Sequence, residues 1–590
     1  MAEIYFRTEN IRQEELPKLI VKSQLESEII EALKSNANMV LEGSRGTGKS
    51  FLMRYAAYEL EANFDNNRIV PVYVTFMAST LIHTNDQFQF RNWMIARALR
   101  ELIKSSFKKG LVFSKYASTL LNANVPIQGE TNKLDEIIAV YENSYKNPGT
   151  KIDSSSLPEL NDIIDALNDL CEENKLKGIY FYFDEAAHIF RPEQQRQFFT
   201  LFRDFRSPYV SSKAAIYPGV THFGETFESV HDAIFKKIDR SIQEVSYLGF
   251  MNSMVEKQVD EPKLNIINQN KELYNTVVFC SNGNPRILLK TTERLSKINT
   301  SEIDNLIRTF YRTEVWAEHT LLGDKFKGHK PLVDWGRKFI EDTAIPSLVK
   351  KNINDDGTIK SETSIYFWIH KDSPIQVRES LRLLTYTGII KKIDDGVKGT
   401  RSLIGTRYEV NYGVFLSQVT NPTKISRELI SKLQINNFSE YGHNHIAYND
   451  LIDENIIIEN EEMLVESINN ILQKSISALD LTIWQKNKLI AEAGLTNIKE
   501  LIDTSEEDLI SKLTRVGVIR SRQMKNAAYA EVLEYIRLIV PHWRKCFSLV
   551  PKHHASLFDL CLKTLHPLRG AVYWRVLCYY KHCTTYGVLT

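Results

Sequence analysis

Apolar residues are spaced in two ways along the first 250 positions. Short continuous apolar runs, such as NMVLEG at 38–43 and GIYFYFD at 178–184, predict strands that are buried on both faces. Apolar residues at helical spacing, as in KSFLMRYAAYELEANF at 49–64, predict amphipathic helices. Buried strands that alternate with helices are typical of an α/β core with a parallel sheet. We predict such a core for residues 1–245, followed by mainly α-helical domains in a multidomain chain.

The first predicted strand and helix flank a glycine-rich loop, GSRGTGKS, with the spacing G-x-x-x-x-G-K-S. Backbone N–H groups of such a loop, and of the helix that follows, surround phosphates. Lys49 would reach the β- and γ-phosphates, and the Ser50 hydroxyl would ligate Mg²⁺. We therefore expect ATP and Mg²⁺ as cofactors. The predicted nucleotide-binding residues are Gly43, Ser44, Arg45, Gly46, Thr47, Gly48, Lys49 and Ser50.

Two acids follow the apolar run at 179–183. Asp184 would lie at the carboxyl edge of the sheet, where ligands of open α/β sheets bind, and would hold Mg²⁺ together with Ser50. Glu185 is placed to polarise an attacking water; the alternative is a first-turn helix acid favoured by the helix dipole. A later strand in SSKAAIYPGVTHFGE leads to Thr221 or His222, either of which could contact the γ-phosphate. A hydroxyl that only closes a turn is an equal alternative for Thr221.

Composition and charge narrow the class of protein. The chain of 590 residues is 43% hydrophobic and 25% charged, and its formal net charge is +1. Any contact with nucleic acid must therefore come from local basic surfaces. The first residues lack a signal-peptide pattern, no apolar run approaches the ~20 residues of a membrane span, and the six cysteines fit a reducing compartment. We expect a cytoplasmic protein with no membrane partner.

The motifs GSRGTGKS, YFYFDE, the strand ending near Thr221 and GNPR at 283–286 together resemble the AAA+/STAND part of the P-loop ATPases. Within that group they are most similar to the origin-recognition-complex-like ATPases of prokaryotes, over about residues 15–320. The resemblance implies a helical lid at 246–325, and three helical stretches indicate a helical insertion at about 84–175. The predicted sensor strand departs from the initiator pattern because it lacks the usual asparagine.

The resemblance also implies roles for two arginines. Arg286 would sense the γ-phosphate from the lid. Arg240 is placed like an arginine finger presented to a neighbouring subunit of a homo-oligomer, or it is a plain surface arginine. The implied catalytic set is Lys49, Glu185, Thr221, Arg240 and Arg286.

Residues 326–420 have the element order of a winged helix. An amphipathic helix at 375–387 precedes two strands that flank a basic, glycine-containing loop. In a DNA-binding module, Arg378 and Arg382 would face the major groove, and Lys398 and Arg401 would meet phosphate. In STAND ATPases the same module packs against the nucleotide domain and touches no DNA, so both interpretations stay open.

Residues 476–540 follow an acidic helical spacer at 421–475 and resemble a helix-hairpin-helix unit. The segment VGV at 516–518 would form the hairpin, from which backbone N–H groups reach a DNA phosphate irrespective of base sequence. The segment VGVIRSR lacks the usual second glycine, and some such units bind only proteins. The residues expected to contact duplex or single-stranded DNA here are Arg515, Arg520, Arg522 and Lys525.

The last fifty residues, 541–590, form a basic aromatic tail. They contain seven Lys or Arg and one acid, a net charge of +6 from 7 minus 1. Basic and aromatic residues together suit single-strand or phosphate contact. Four cysteines and several histidines also permit zinc, although no C-x-x-C pair exists and buried core cysteines are the alternative. With a single carboxylate, the tail cannot itself form a metal nuclease site.

The sequence therefore predicts an ATP-binding, ATP-hydrolysing AAA+ ATPase, slow or stimulated by DNA or a partner. It would engage DNA through its winged-helix and helix-hairpin-helix modules and act in genome maintenance or defence against foreign DNA. The alternative is a STAND-type signalling switch whose C-terminal modules bind an effector protein. A small-molecule kinase is disfavoured because no acceptor-site module is visible.

Overall fold

The computed structural model describes residues 4–76, 89–121, 123, 133–144, 157–185, 192–224, 226–325, 329–400, 402–453 and 471–539. The chain divides into two compact units, Met1–Asp453 and Glu454–Thr590, which are considered separately. Arg401, most of the predicted spacer beyond Asp453 and the tail at 541–590 lie outside the described residues.

The first unit contains a five-stranded sheet in the order β2-β3-β4-β1-β5, in which all neighbouring strands run parallel. The α/β class with a parallel sheet is thus confirmed. The strands are β1 Met39–Glu42, β2 Ile69–Thr75, β3 Gly178–Asp184, β4 Val210–Ile216 and β5 Ile234–Lys237.

Both faces of this sheet are covered, because alternate residues of each strand point to opposite sides. In β3, Ile179, Phe181 and Phe183 contribute to one hydrophobic core, whereas Tyr180 and Tyr182 contribute to the other. Every residue of β3 and β4 is buried. This explains the continuous apolar run from which β3 is predicted.

Helices surround the sheet, and four of them fill the connection between β2 and β3. The helices up to β5 are α1 Leu16–Leu19, α2 Gln24–Lys34, α3 Lys49–Ala62, α4 Phe64–Asn67, α5 Gln89–Lys108, α6 Lys115–Leu120, α7 Lys133–Glu142, α8 Leu160–Glu173, α9 Pro192–Asp204 and α10 Ser229–Asp232.

A helical segment follows β5 and includes two π-helical stretches, Tyr311–Val315 and Phe339–Ala344. Its α-helices are α11 Tyr247–Glu256, α12 Glu261–Gln269, α13 Lys271–Cys280, α14 Pro285–Arg294, α15 Thr300–Phe310, α16 Trp316–Lys325, α17 Lys330–Lys338 and α18 Ile345–Asn352.

The rest of the first unit is the small-sheet module, residues 353–453, in which four strands are ordered β7-β8-β6-β9. Strand β8 pairs antiparallel with β7 and β6, and β9 pairs parallel with β6. Its elements are β6 Tyr366–His370, α19 Ile375–Thr387, β7 Ile390–Lys398, β8 Ile404–Val410, α20 Tyr412–Ser417, α21 Pro422–Ser431, β9 Phe438–Tyr441 and α22 Asn449–Asp453.

The second unit is described over residues 471–539, here called the hairpin unit. Its helices enclose a hydrophobic core of their own. They are α23 Ile483–Ala491, α24 Ile498–Asp503, α25 Glu506–Lys512 and α26 Val518–Ile539.

Strand register places the candidate site in the first unit. Glu42, the last residue of β1, aligns with Ile216 of β4 and Lys237 of β5, and Thr75 of β2 aligns with Asp184 of β3. The five strands therefore end at one edge of the sheet. This is the edge where open α/β sheets bind their ligands.

Candidate nucleotide-binding site and basic surfaces

The glycine-rich loop connects β1 to α3, as its sequence context predicts. Gly46 and Gly48 have φ of +89° and +99°, a backbone conformation that residues with a side chain rarely adopt. Gly48 caps helix α3, which begins at Lys49. The loop and the first turn of a 14-residue helix thus direct backbone N–H groups to one place, which suits an anion.

Lys49 is buried under this loop. Its Nζ donates hydrogen bonds to the carbonyl oxygens of Gly43 at 2.6 Å and Ser44 at 3.0 Å, and it lies 4.0 Å from the ring centroid of Tyr217. Burial lowers the pKa of Lys49 to about 7, against the opposing effect of Asp184. A buried ammonium with incomplete charge compensation favours an anionic ligand.

Asp184 ends β3 at the same edge of the sheet. Its carboxylate accepts hydrogen bonds from the Tyr73 hydroxyl at 2.5 Å and from the backbone N–H of Glu185 at 3.0 Å. Together with the Ser50 hydroxyl, it offers the oxygen ligands that Mg²⁺ prefers. The residues present therefore fit a magnesium–nucleotide ligand.

Glu185 has the features expected of a general base. Its backbone is left-handed, with φ of +58°, and its buried Oε2 has no hydrogen-bond partner among the described residues. Burial, reinforced by the neighbouring charge of Asp184, raises the pKa of Glu185 to about 7. A carboxyl group with a pKa near the working pH is suited to proton transfer.

The segment GNPR brings the lid to the glycine-rich loop. The Asn284 side chain donates to the carbonyl oxygen of Arg45 at 2.8 Å and caps α14 by accepting from the N–H groups of Arg286 and Ile287. A Cβ added to Gly46 would lie 3.0 Å from the Cβ of Arg286. Arg286 thus lies beside the loop, as the sequence predicts, and its Nε donates to the carbonyl oxygen of Phe6 at 3.0 Å.

Comparisons with known proteins agree with this geometry. Residues 5–125 match the family model described as ORC-CDC6-like. This part of the chain, which contains the glycine-rich loop, is thus similar to ORC/Cdc6-like AAA+ proteins. A search of curated proteins gave no significant match.

Three solved structures are similar to this chain. The Aeropyrum pernix ORC1 protein in complex with DNA is 14% identical, with 71% of this chain and 95% of that chain covered and a TM-score of 0.31. The Aeropyrum pernix ORC2 protein, solved as ADPNP and ADP complexes, is 10% identical, with 72% and 98% covered and a TM-score of 0.30. A single-substitution variant of Thermotoga maritima RuvB is 12% identical, with 66% and 94% covered and a TM-score of 0.26. At these TM-scores the similarities decide nothing about ligands or activity.

Two residues expected in the ORC/Cdc6-like site are placed differently. The Thr221 hydroxyl donates to the carbonyl oxygen of Tyr217 at 2.8 Å and so closes a turn. The residue that follows β4 and faces Lys49 is Tyr217. Its position directly after the apolar end of the run SSKAAI is a signal in the sequence from which it could be identified.

Arg240 is buried, which contradicts the exposure that an arginine finger requires. It forms an ion pair with Glu26, which is 1% exposed, and stacks 4.6 Å from the ring centroid of Phe250. The guanidinium also lies 3.4 Å from the carbonyl oxygen of Gly283, next to the lid segment GNPR. Arg240 therefore joins α2 to the lid and cannot reach a neighbouring subunit without breaking this pair.

The small-sheet module packs against the nucleotide site through α19. The Tyr386 ring lies 5.5 Å from the ring of Tyr217, and a Cβ added to Gly388 would lie 3.8 Å from the Cβ of Ser44. Arg45 of the loop also pairs with Glu318 of α16 at 2.7 Å. The helix predicted to enter the major groove is thus held against the loop.

This packing removes one predicted DNA contact. Arg382 pairs with Glu379 at 2.7 Å and donates to the carbonyl oxygen of Gly219 at 3.1 Å, so its guanidinium is turned toward the parallel-sheet domain and its side chain is only 21% exposed. His222 lies 3.4 Å from the same guanidinium. Arg378 and Lys398 are exposed.

The hairpin unit keeps most of its predicted cations at the surface. Arg515, Arg520 and Arg522 are exposed, and Arg522 pairs with Glu506 at 3.2 Å. Lys525 is different: it is 8% exposed and donates to the carbonyl oxygens of Ile502, at 3.0 Å, and Thr504. Lys525 therefore fixes the end of α24 and is not available to DNA.

Within the described residues, no helix is both long and apolar enough to span a bilayer.

Replacement of Arg240 tests its structural role. Arg240→Ala leaves the Glu26 carboxylate buried without a partner, so the free energy of unfolding of the first unit should fall by about 3–5 kcal/mol. Denaturant titration of the full chain measures this. The double variant Glu26→Leu with Arg240→Leu should recover most of the loss, because it removes both charges. The arginine-finger interpretation would be restored if Arg240→Ala were as stable as the wild type but had lost ATP turnover. In that case turnover should return when the variant is mixed with a Lys49→Ala chain, which still carries Arg240.

Proposed function

We propose that this protein hydrolyses ATP at the glycine-rich loop and binds DNA through the hairpin unit. The observation that carries the ATPase proposal is the arrangement of Lys49, Asp184 and Glu185 at one edge of the sheet. Lys49 would bind the β- and γ-phosphates, while Ser50 and Asp184 would hold Mg²⁺. Glu185 would accept the proton of the attacking water. Arg286, beside the loop, would bind the γ-phosphate and couple it to the position of the lid.

DNA binding is supported by the exposed cations of the hairpin unit. Arg515 and Arg520 project from the hairpin and the first turn of α26, where a phosphate backbone would be recognised without regard to base sequence. Assembly into a homo-oligomer, and a role in genome maintenance or in defence against foreign DNA, are parts of the same proposal. They are supported by the ORC/Cdc6-like family match alone.

A second candidate function is a nucleotide-dependent switch that signals to an effector protein. It is favoured by the packing of α19 on the glycine-rich loop. In that case ATP would control the release of the small-sheet module, and turnover would be slow. DNA would then neither bind nor stimulate hydrolysis.

The proton-accepting role of Glu185 predicts a pH dependence. Because its pKa is raised to about 7, the carboxylate is protonated below that pH. At saturating ATP, whose phosphates favour the charged form of Lys49, turnover should therefore rise between about pH 6 and pH 8 and then level off. Glu185→Gln should lower turnover by on the order of 10²–10⁴. ATP binding by this variant, measured by calorimetry, should change little. A profile with its midpoint near 4.5, the usual value for glutamate, would contradict the assignment.

The hairpin proposal predicts a change in the salt dependence of DNA binding. Each arginine that contacts phosphate contributes about one unit to the slope of log K against log salt, so Arg515→Ala with Arg520→Ala should reduce that slope by about two. Fluorescence anisotropy with duplex and single-stranded oligonucleotides measures it. Arg312→Ala with Arg427→Ala is the matched control, because it removes the same charge from exposed positions of the first unit. If the two double variants reduce the slope equally, DNA binding depends only on the net charge of the protein.

The packing of α19 predicts a coupling between Tyr386 and the nucleotide. Tyr386→Ala removes the ring that contacts Tyr217 and should accelerate the release of a fluorescent ATP analogue by about tenfold, the effect of about 1.4 kcal/mol. Tyr386→Phe keeps the ring and should release the analogue at the wild-type rate. If the alanine variant also behaves as wild type in stopped-flow measurements, the packing of α19 does not control the site.

A further inference from the structure

Trp484 in the hairpin unit stands apart from the other described tryptophans. It is the second residue of α23 and is 41% exposed. The other four in the described residues, Trp93, Trp316, Trp335 and Trp368, are at most 5% exposed. Exposing an indole ring loses the hydrophobic stabilisation that its burial would give. A contact with a ligand outside the unit would explain why this ring lies at the surface.

Two cations lie against this ring. The guanidinium of Arg520 is 5.1 Å from the ring centroid, and Nζ of Lys488 is 5.6 Å from it. Both distances are within the range of a cation–π interaction. The ring of Trp484 and Arg520, one of the predicted phosphate-binding cations, thus form one surface.

Hydrogen bonds hold this surface in a fixed geometry. Arg520 donates to the carbonyl oxygen of Arg515 at 2.8 Å, which positions its guanidinium between the hairpin and the indole. Glu492, at the end of α23, accepts from the backbone N–H of Thr514 at 2.8 Å, and Lys488 donates to both Glu492 and the Thr514 hydroxyl. The hairpin is therefore attached to the helix that carries Trp484.

The same surface is apolar as well as basic. Ile483, Val518 and Ile519 are 78%, 53% and 76% exposed. Within the part of the chain that the structure describes, neither Arg515 nor Arg520 has a carboxylate at ion-pair distance. A ligand that offers both a flat apolar face and adjacent negative charge would complement this surface. An unpaired nucleotide has both, because its base stacks on aromatic rings and its phosphates pair with arginine.

We propose that Trp484, Arg515 and Arg520 form a base-stacking site for single-stranded DNA, so that the hairpin unit prefers unpaired strands or strand junctions to continuous duplex. In a continuous duplex the bases are stacked on one another and their faces are covered. The indole of Trp484 would then have no base to stack on, and only the phosphate contacts would remain. This inference rests on the proposed DNA binding and adds the form of DNA that is recognised.

The test compares two single strands of equal length, one with ordinary bases and one with abasic sugars, which keep the phosphates. The full chain should bind the ordinary strand about tenfold more tightly, the effect of one stacked base. Trp484→Ala should remove this difference, whereas Trp484→Phe should retain most of it because a ring is still present. Binding of the ordinary strand should quench the fluorescence of the wild-type protein, and most of that quenching should be lost in Trp484→Phe.

The outcomes separate this inference from the proposed function. If the wild-type chain binds both strands equally, the stacking site is overturned and phosphate binding by the hairpin stands. If it binds neither strand and no duplex, the proposed DNA binding itself fails, and the surface is better explained as a protein-binding site. The comparison of strands uses the wild-type chain, so equal binding would overturn the inference even if Trp484→Ala does not fold. If Trp484→Ala does not fold, the quenching lost in Trp484→Phe separates stacking on Trp484 from stacking on the aromatic residues of the tail at 541–590.

Discussion

The buried ammonium group of Lys49 is the constraint on which the arrangement of the first unit depends. A charge removed from water is costly unless nearby groups compensate it. Here the compensation comes from two carbonyl oxygens of the glycine-rich loop, from the ring of Tyr217 and from the field of Asp184. These groups lie at the ends of three neighbouring strands or directly after them. The parallel sheet brings them together because its strands end at one edge.

The same charge explains how the small-sheet module comes to share the site. Tyr217 lies between Lys49 and Tyr386, so the residue that contacts the ammonium also contacts α19. The lid is joined to the loop separately, through Asn284. Two segments remote in sequence thus contact a loop of eight residues. A nucleotide bound at this loop would therefore lie next to both segments.

The residues whose places in the fold can be predicted from the sequence are those whose surroundings are local. Lys49 and Asp184 follow directly from a strand–loop–helix order and from an apolar run that ends in an acid, which need no knowledge of distant contacts. The roles of Arg240 and Arg382 are predicted from the family resemblance and from position and charge. Their surroundings are decided by partners far away in the chain: Glu26 lies 214 residues from Arg240, and Gly219 lies 163 residues from Arg382. An arginine before a strand has the same local sequence whether it faces solvent or a carboxylate, so the pattern could not distinguish the two.

The contrast between α19 and the hairpin unit indicates where DNA contact is to be sought. Arg382 pairs with groups of its own unit, and Tyr386 is 3% exposed, so the face of α19 that carries them could meet DNA only after it leaves the glycine-rich loop, whereas Arg378 is already exposed. The exposed cations of the hairpin unit need no such rearrangement. Two of the three ammonium hydrogens of Lys49 go to the loop carbonyls, so a triphosphate that accepts more than the third hydrogen would alter the contact of Lys49 with Tyr217. By linkage, any ligand that draws α19 away would in turn change the affinity for that nucleotide. The signalling alternative requires such a ligand for α19, whereas DNA binding through the hairpin unit does not.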